Sequence, residues 1–221
     1  MSPPTAAVSD SRSVSEFLNR ECFCITLDRG ALLQALQREV GDPGLCATIV
    51  APQTHLFSDL PVFLPKTNVD EMLRIVHAID DAVRLPFYRD AALSRAPEIA
   101  RHDFGPAGVF MGYDFHLGHD GPRLIEVNTN AGGAFLNAML AKAQRACCAE
   151  VEGALGKAEA DNFEPEVKRM FLREWELQRG PGIPRRIGIV DDRPKQQYLY
   201  PEFLLARHFF QKIGIDAVIA D

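Results

Sequence analysis

The side chains best suited to chemistry lie in one short stretch, GYDFHLGHDGPRLIEVNTNAGG, at positions 112–133. Two apolar runs flank a turn, and the second run ends with Glu126 and Asn128, two residues apart. Because residues i and i+2 of a strand project from the same face, a carboxylate and an amide oxygen become neighbours. These are hard oxygen ligands that suit Mg²⁺, which usually takes one or two carboxylates together with waters and substrate phosphates.

A third oxygen-bearing residue of this stretch is Asp114. It lies between Tyr113 and Phe115 in an otherwise apolar strand, so we treat it as a candidate catalytic residue. Whether it shares a face with Glu126 depends on the strand register, which the sequence does not fix. The E-x-N pattern is short and common, and Asp and Asn also form turns, so a structural role for these residues stays open.

A loop of small and polar residues follows the second run. Its members are Asn130, Ala131, Gly132 and Gly133. We expect the loop to enter a helix near Ala134. The first N–H groups of a helix have no partner within the helix and favour anions, so this junction suits a bound carboxylate or phosphate.

Composition excludes several classes of function. The chain has 221 residues and a formal net charge of −6, which argues against nucleic acid as a partner because phosphate binding needs a basic face. The five cysteines form no C-x-x-C pair, and their odd number without a signal peptide fits a reducing cytoplasm. No run approaches the roughly 18 apolar residues of a membrane span, so a membrane is not an expected partner.

The hydrophobic pattern predicts the elements that position these residues. In the first half they are a strand at 21–28, a helix at 31–41, a strand at 45–52, a long helix from Asn68, and a short helix plus loop within 88–105. Gly41 is a helix stop. Asn68 and Glu71 have the spacing of a capping box. The predicted apolar face of the long helix consists of Val69, Met72, Val76, Ile79 and Val83.

The second half begins with two antiparallel strands joined through an Asp-Gly turn, which is a hairpin signal. After the hairpin we predict helices at 134–155 and 165–178, a linker at 180–184, and a β-α-β unit from 185 to 221. The fold class is therefore α/β, with α+β character in the first part. We expect the hairpin to lie within a mixed sheet flanked by helices, followed by the start of a parallel β-α-β lobe.

Four segments describe the expected domain organisation. They are a flexible tail at 1–15, a first domain at 16–179 that contains the candidate metal-binding strand, the linker at 180–184, and an α/β lobe at 185–221. A sheet of two strands is marginal by itself, so we expect this last lobe to be truncated.

The stretch at 112–133 resembles the corresponding segment of the circularly permuted ATP-grasp enzymes, which include eukaryotic glutathione synthetase and bacterial relatives. In that family a strand with an Asp precedes a hairpin, and the next strand reads I-E-x-N-T before a small-residue loop. Here these features are Asp114, the run from Ile125 to Thr129, and the loop at 130–133. The stretch at 186–221 is similar to the substrate-domain β-α-β that follows in the same order.

This resemblance implies an ATP- and Mg²⁺-dependent carboxylate–amine ligase that works through an acyl phosphate. Glu126 and Asn128 would hold the Mg²⁺ that bridges the phosphates of ATP. The loop at 130–133 would contact a small-molecule or peptide carboxylate substrate, and Gln196 and Gln197 would reach it from the second lobe. The sequence contains no phosphate-binding G-x-x-x-x-G-K-[ST] or G-x-G-x-x-G pattern, so we expect this portion alone to be inactive.

Two other classes of function stay open. The same scaffold suits a non-catalytic module that binds a peptide or an amino acid. It also suits an oligomerising α/β protein that has no functional site. A homodimer is compatible with each of them. His116 and His119 show no ligand spacing and are expected to be exposed residues of the hairpin.

Overall fold

The computed structural model describes residues 11–23, 27–41, 43–50, 56–144 and 162–221. Helices predominate and the strands are short, which confirms the predicted mixed α/β class. The helices are α1 (Ser11–Glu21), α2 (Arg29–Val40), α3 (Pro43–Val50), α4 (Lys66–Arg84), α5 (Pro86–Arg95), α6 (Ala134–Ala143), α7 (Phe163–Arg179) and α8 (Tyr200–Lys212). The strands are β1 (Gly112–Gly118), β2 (Gly121–Asn128), β3 (Arg186–Val190) and β4 (Asp216–Ala220).

Both strands predicted near the start of the chain are wrong. Glu21 belongs to α1, and Leu27 forms only an isolated bridge with Gln144, while residues 24–26 lie outside the described part. The run predicted as the strand at 45–52 lies in α3 up to its last residue at position 50, and residues 51 and 52 are not described. A short apolar run has the same pattern in a buried strand and a buried helix. Cys46 and Ile49, three residues apart, are both buried, as one helix face requires.

The helix predicted at 31–41 is confirmed as α2. The carboxylate of Asp28 accepts hydrogen bonds from two N–H groups of its first turn, and Gly41 ends it in the left-handed conformation with φ of 69°. Leu32 and Leu36, one turn apart, are completely buried. The two caps and the buried stripe therefore fix α2 at both ends and on one side.

The predicted long helix is confirmed as α4, but its predicted cap is wrong. The helix begins at Lys66, its N-cap is Pro65, and no side chain caps its first turn. The carboxylate of Glu71 lies beside Gly121 of the hairpin rather than at the helix start. No residue of α4 is buried, although the helix packs against β2. The short helix predicted within 88–105 is α5, together with a 3-10 turn at Glu98–Arg101.

The chain divides into two compact units. The first contains α1, α4, α5 and the β1–β2 hairpin, from residues 1–23, 62–104 and 111–128. The second contains the remaining helices and the β3–β4 pair, from residues 24–61, 105–110 and 129–221. In the described residues the antiparallel hairpin forms a two-stranded sheet of its own, and β3 and β4 form a second, parallel one.

The second unit holds the main hydrophobic core. The parallel pair β3–β4 with the intervening α8 confirms the predicted β-α-β unit. Helices α2, α6 and α8 pack against one another. Their buried side chains include Leu32, Leu36, Phe135, Leu136, Phe209 and Phe210. Three of these are aromatic, and edge-to-face contacts such as that between Phe209 and Phe210 align them.

Helix α6 begins at Ala134 as predicted but ends at Ala143, where Gln144 adopts an extended conformation. The predicted continuation to 155 is therefore wrong at Gln144, and residues 145–161 lie outside the described part. Helix α7 confirms the helix predicted at 165–178, and Gly180 follows its last residue. None of the helices in the described ranges combines the length and apolar character that crossing a bilayer requires.

Candidate metal centre

The register of the hairpin decides which side chains share a face. Asp114 lies opposite Glu126, and Gly112 lies opposite Asn128. Residues directly opposite on antiparallel strands carry their side chains on the same face, with Cβ atoms about 4.5–5.5 Å apart. Glu126 and Asn128 share that face through their spacing of two. The structure therefore places two carboxylates and one amide of the predicted site on one face of the hairpin. Asp114 shares this face with Glu126, which the sequence had left open.

The two carboxylates have no structural partner that explains them. Asp114 and Glu126 are both exposed, and Asn128 is half-buried. Within the described residues, neither carboxylate takes part in an ion pair or a side-chain hydrogen bond. Like charges directly opposite each other destabilise a hairpin. A cation between the two carboxylates removes this repulsion, which is the electrostatic argument for a site at this position.

The same face carries a second cross-strand pair, His116 opposite Arg123. Both side chains are exposed, and His119 in the turn is exposed as predicted. Arg123 donates a hydrogen bond to Asp120 over 3.3 Å. Because Arg123 shares the face of Asp114 and Glu126, its guanidinium group can contact the phosphate of a ligand that a cation holds there. The sequence patterns did not single out Arg123, because only the register shows that it shares this face.

The opposite face of the hairpin is apolar and includes the half-buried side chains of Tyr113, Phe115, Leu124 and Val127. Strict alternation along a strand would place Ile125 on this apolar face together with Val127, but the structure does not. The register shifts between Asp114 and Phe115, so Ile125 is the extra residue of a β-bulge, and it is 66% exposed. Bulges re-aim neighbouring side chains and are frequent beside functional sites. Here the bulge lies directly next to Glu126.

The predicted substrate loop at 130–133 belongs to the second unit. The N–H of Ala131 donates a hydrogen bond of 2.9 Å to the carbonyl oxygen of Phe110. A Cβ atom on Gly132 would lie 2.8 Å from Cδ1 of Leu199, so the loop packs closely on the residue that precedes α8. The loop is therefore held by both backbone and side-chain contacts, and its role in substrate binding stays a prediction.

The helix start after this loop is filled by the protein's own carboxylate. Glu202 of α8 is 6% exposed and accepts hydrogen bonds of 2.9 Å from the N–H groups of Phe135 and Leu136. Burial raises the pKa of the Glu202 carboxyl above its ordinary value of 4.5, while hydrogen bonds from Phe135, Leu136, Gly133 and Ala134 act in the opposite direction. The prediction of unpaired N–H groups that await a ligand is therefore wrong. The missed residue, Glu202, lies far along the chain, and no local motif marks it.

The remaining predicted site residues, Gln196 and Gln197, lie in the second unit at a 3-10 turn before α8. Gln196 is exposed. The side-chain amide of Gln197 donates a hydrogen bond to the carbonyl oxygen of Asp192, so it stabilises its own turn. Gln196 keeps a side chain that is exposed to an incoming ligand, and a substrate contact by either residue stays a prediction.

The donor set of the hairpin suits Mg²⁺ better than a metal held by protein alone. In the ranges that the structure describes, no group of three or more His, Cys, Asp or Glu residues is arranged to hold a metal ion. Zinc sites need three or four such ligands, and calcium takes six to eight oxygens. Two carboxylates and an amide oxygen match the smaller protein share of a Mg²⁺ site whose other ligands are phosphates and waters.

Comparisons of the chain with protein-family models, with curated proteins and with solved structures gave no match.

Proposed function

We propose that the polar face of the hairpin, defined by Asp114, Glu126 and Asn128, binds Mg²⁺ together with the phosphates of ATP. The single observation that carries this proposal is the register, which pairs Asp114 with Glu126 and leaves both carboxylates without a protein cation in the described residues. In this proposal the chain provides the metal-binding strand of a carboxylate–amine ligase. The resemblance to permuted ATP-grasp enzymes supports this reaction class.

Each residue of the face has a role in the proposed chemistry. Asp114 and Glu126 hold the cation, Asn128 adds a neutral oxygen, and Arg123 contacts a phosphate oxygen. Bound Mg²⁺ supplies charge neutralisation on the phosphates. In the first step, an oxygen of the substrate carboxylate attacks the γ-phosphorus of ATP and ADP leaves. In the second, the amine attacks the acyl carbon, phosphate leaves, and the amine nitrogen loses a proton.

The loop at 130–133 contacts the acid or peptide, and Glu202 keeps the adjoining helix start rigid through its hydrogen bonds to Phe135 and Leu136. The odd number of cysteines supports a reducing compartment such as the cytoplasm in this proposal.

Paramagnetic Mn²⁺ in place of Mg²⁺ tests the metal site, because line broadening in NMR spectra detects even weak binding. We expect the strongest broadening at the amides of β1 and β2 around Asp114 and Glu126, and stronger broadening when ATP is present. Glu126→Gln should abolish the broadening at these positions. The control is Glu98→Gln, which removes an exposed carboxylate of the 3-10 turn and should leave the pattern unchanged.

Broadening that centres elsewhere, or that survives Glu126→Gln, contradicts the metal site. The reaction class has its own test, which is phosphate release from ATP that depends on both a carboxylate and an amine in the protein that contains this chain. Metal and ATP binding without such turnover would favour a ligand-binding module over a ligase.

A further inference from the structure

Helix α4 has an apolar surface that stays partly exposed in the described structure. Val69, Val76 and Val83 repeat at intervals of seven residues, and Leu73 lies one turn after Val69. Val69, Leu73 and Val83 are 38%, 52% and 39% exposed, and no residue of the helix is buried. We call these four residues the α4 stripe. A seven-residue apolar repeat is the pattern with which one helix packs against another.

Exposed apolar residues continue beyond both ends of the helix. Val62 and Leu64 precede α4 and are 77% and 40% exposed. Leu85 and Phe87 follow it and are 57% and 86% exposed. Exposed apolar residues are unremarkable when scattered singly, but a contiguous patch marks an interaction site. The patch here follows the whole length of α4, about 28 Å for its 19 residues.

We propose that the α4 stripe binds the same stripe of a second copy of this chain, with the two helices antiparallel and a two-fold axis beside Val76 and His77. This interface is independent of the metal site on the hairpin. A two-fold interface joins identical surfaces, so the charges along α4 must complement themselves when the helix is reversed.

The charges of α4 meet this condition. With the axis at residue 77, Asp70 lies opposite Arg84 of the second copy, and both residues flank the stripe on the same side. Symmetry repeats this pair, which gives two ion pairs between the copies. Asp70 and Arg84 already pair within their own helix, with Lys66 at 2.6 Å and Asp80 at 2.9 Å. In the dimer, the pair Lys66–Asp70 of one copy and the pair Asp80–Arg84 of the other are joined into one network by the contact between Asp70 and Arg84.

The antiparallel direction also follows from these residues. A parallel pair of helices would place Lys66 beside Lys66 and Arg84 beside Arg84, and these like charges repel. The antiparallel pair places the apolar residues Val62 and Leu64 of one copy near Leu85 and Phe87 of the other. The two exposed ends of α4 therefore cover each other only when the helices are antiparallel. For this reason we propose a second copy of the chain as the partner that covers this surface.

Sedimentation velocity of the full chain over a range of concentrations tests the interface. We expect a monomer–dimer equilibrium whose dissociation constant rises about 30-fold or more in Leu73→Asp. The matched control is Ile183→Asp, since Ile183 is 62% exposed and lies outside the stripe. A wild-type chain that stays monomeric at every concentration, or a dimer that Leu73→Asp does not weaken, overturns the proposal.

Charge exchange separates contacts between copies from contacts within the helix. Arg84→Asp should weaken the dimer because it faces Asp70 of the second copy, and Asp70→Arg should weaken it by the same argument. The double variant restores attraction between copies while both pairs within the helix remain broken. Recovery of the dimer in the double variant supports the arrangement, and a dimer weaker than in either single variant contradicts it.

The position of the axis has a covalent test. His77→Cys places a thiol near its symmetry mate, so mild oxidation should give a disulfide-linked dimer on a non-reducing gel. Thr67→Cys, at one end of α4, is the control and should give no such band above the wild-type background. Equal crosslinking at both positions contradicts an antiparallel pair centred on residue 77.

Discussion

Asp114 lies directly opposite Glu126 across the β1–β2 hairpin, and both carboxylates are exposed. The bulge at Ile125 lies immediately beside this pair. Two negative charges at such a separation oppose folding of the hairpin, whereas a bound cation turns the same pair into an attractive site. The arrangement therefore has consequences both with and without metal.

The first prediction concerns the protein without divalent cations. Asp114→Asn removes the repulsion with Glu126 and should raise the free energy of unfolding by about 0.2–1 kcal/mol at low salt. Urea denaturation in the presence of a chelator measures the gain, which should shrink at high salt because screening weakens the repulsion. Asp90→Asn on α5 is the control and should change little. Destabilisation by Asp114→Asn would mean that the carboxylate has a favourable partner.

The second prediction concerns the carboxylate that caps α6. Glu202→Ala leaves the buried N–H groups of Phe135 and Leu136 without an acceptor, and each such group costs about 1–3 kcal/mol. We therefore expect a loss of about 2–6 kcal/mol in urea denaturation. Glu176→Ala removes an exposed ion pair with Arg173 and should cost less than about 1 kcal/mol. Similar losses in both variants would contradict the capping role.

The third prediction is the pH dependence that Glu202 imposes. Its pKa is raised in the folded protein, mainly by burial, so the folded state binds this proton more tightly than the unfolded state. The contribution of the proton to stability is complete below the ordinary value of 4.5 and is lost as the pH rises through the raised folded value.

The measurement is the free energy of unfolding against pH for the wild type and for Glu202→Gln, which cannot titrate at this position. We expect the wild type to lose stability relative to the variant as the pH rises above 4.5. A difference between the two curves that stays constant, or that changes in favour of the wild type as the pH rises, would show that the pKa is not raised.

The fourth prediction compares two glycines with the same backbone constraint. Gly105 and Gly108 have φ values of 91° and 106°, which L-residues rarely adopt. A Cβ atom at Gly105 would lie 2.7 Å from the carbonyl oxygen of Leu177, whereas nothing lies within 4 Å of one at Gly108. Gly105→Ala should therefore lower the melting temperature clearly more than Gly108→Ala. Equal shifts would mean that backbone strain alone determines both effects.

Local patterns predicted much of the fold for a physical reason. The helices α2, α4 and α7, the hairpin, and the final β-α-β unit depend on residue spacing and end signals within each segment. The prediction failed at α3 because its eight apolar and small residues fit a buried strand as well as a helix. The buried pair Cys46 and Ile49 decides between them, and burial is a property of the whole fold.

For the site, the sequence by itself determined that Glu126 and Asn128 share a face, because a strand alternates its side chains whatever surrounds it. Only the tertiary structure decided that Asp114 faces Glu126, because the bulge at Ile125 sets the register of the two strands. A shift of one residue in this register would move every side chain of the strand to the opposite face. Only the tertiary structure also assigned Glu202 to the start of α6, 67 residues away from Phe135. Contacts at such separations arise from the packing of α8 on α6, which no local spacing encodes.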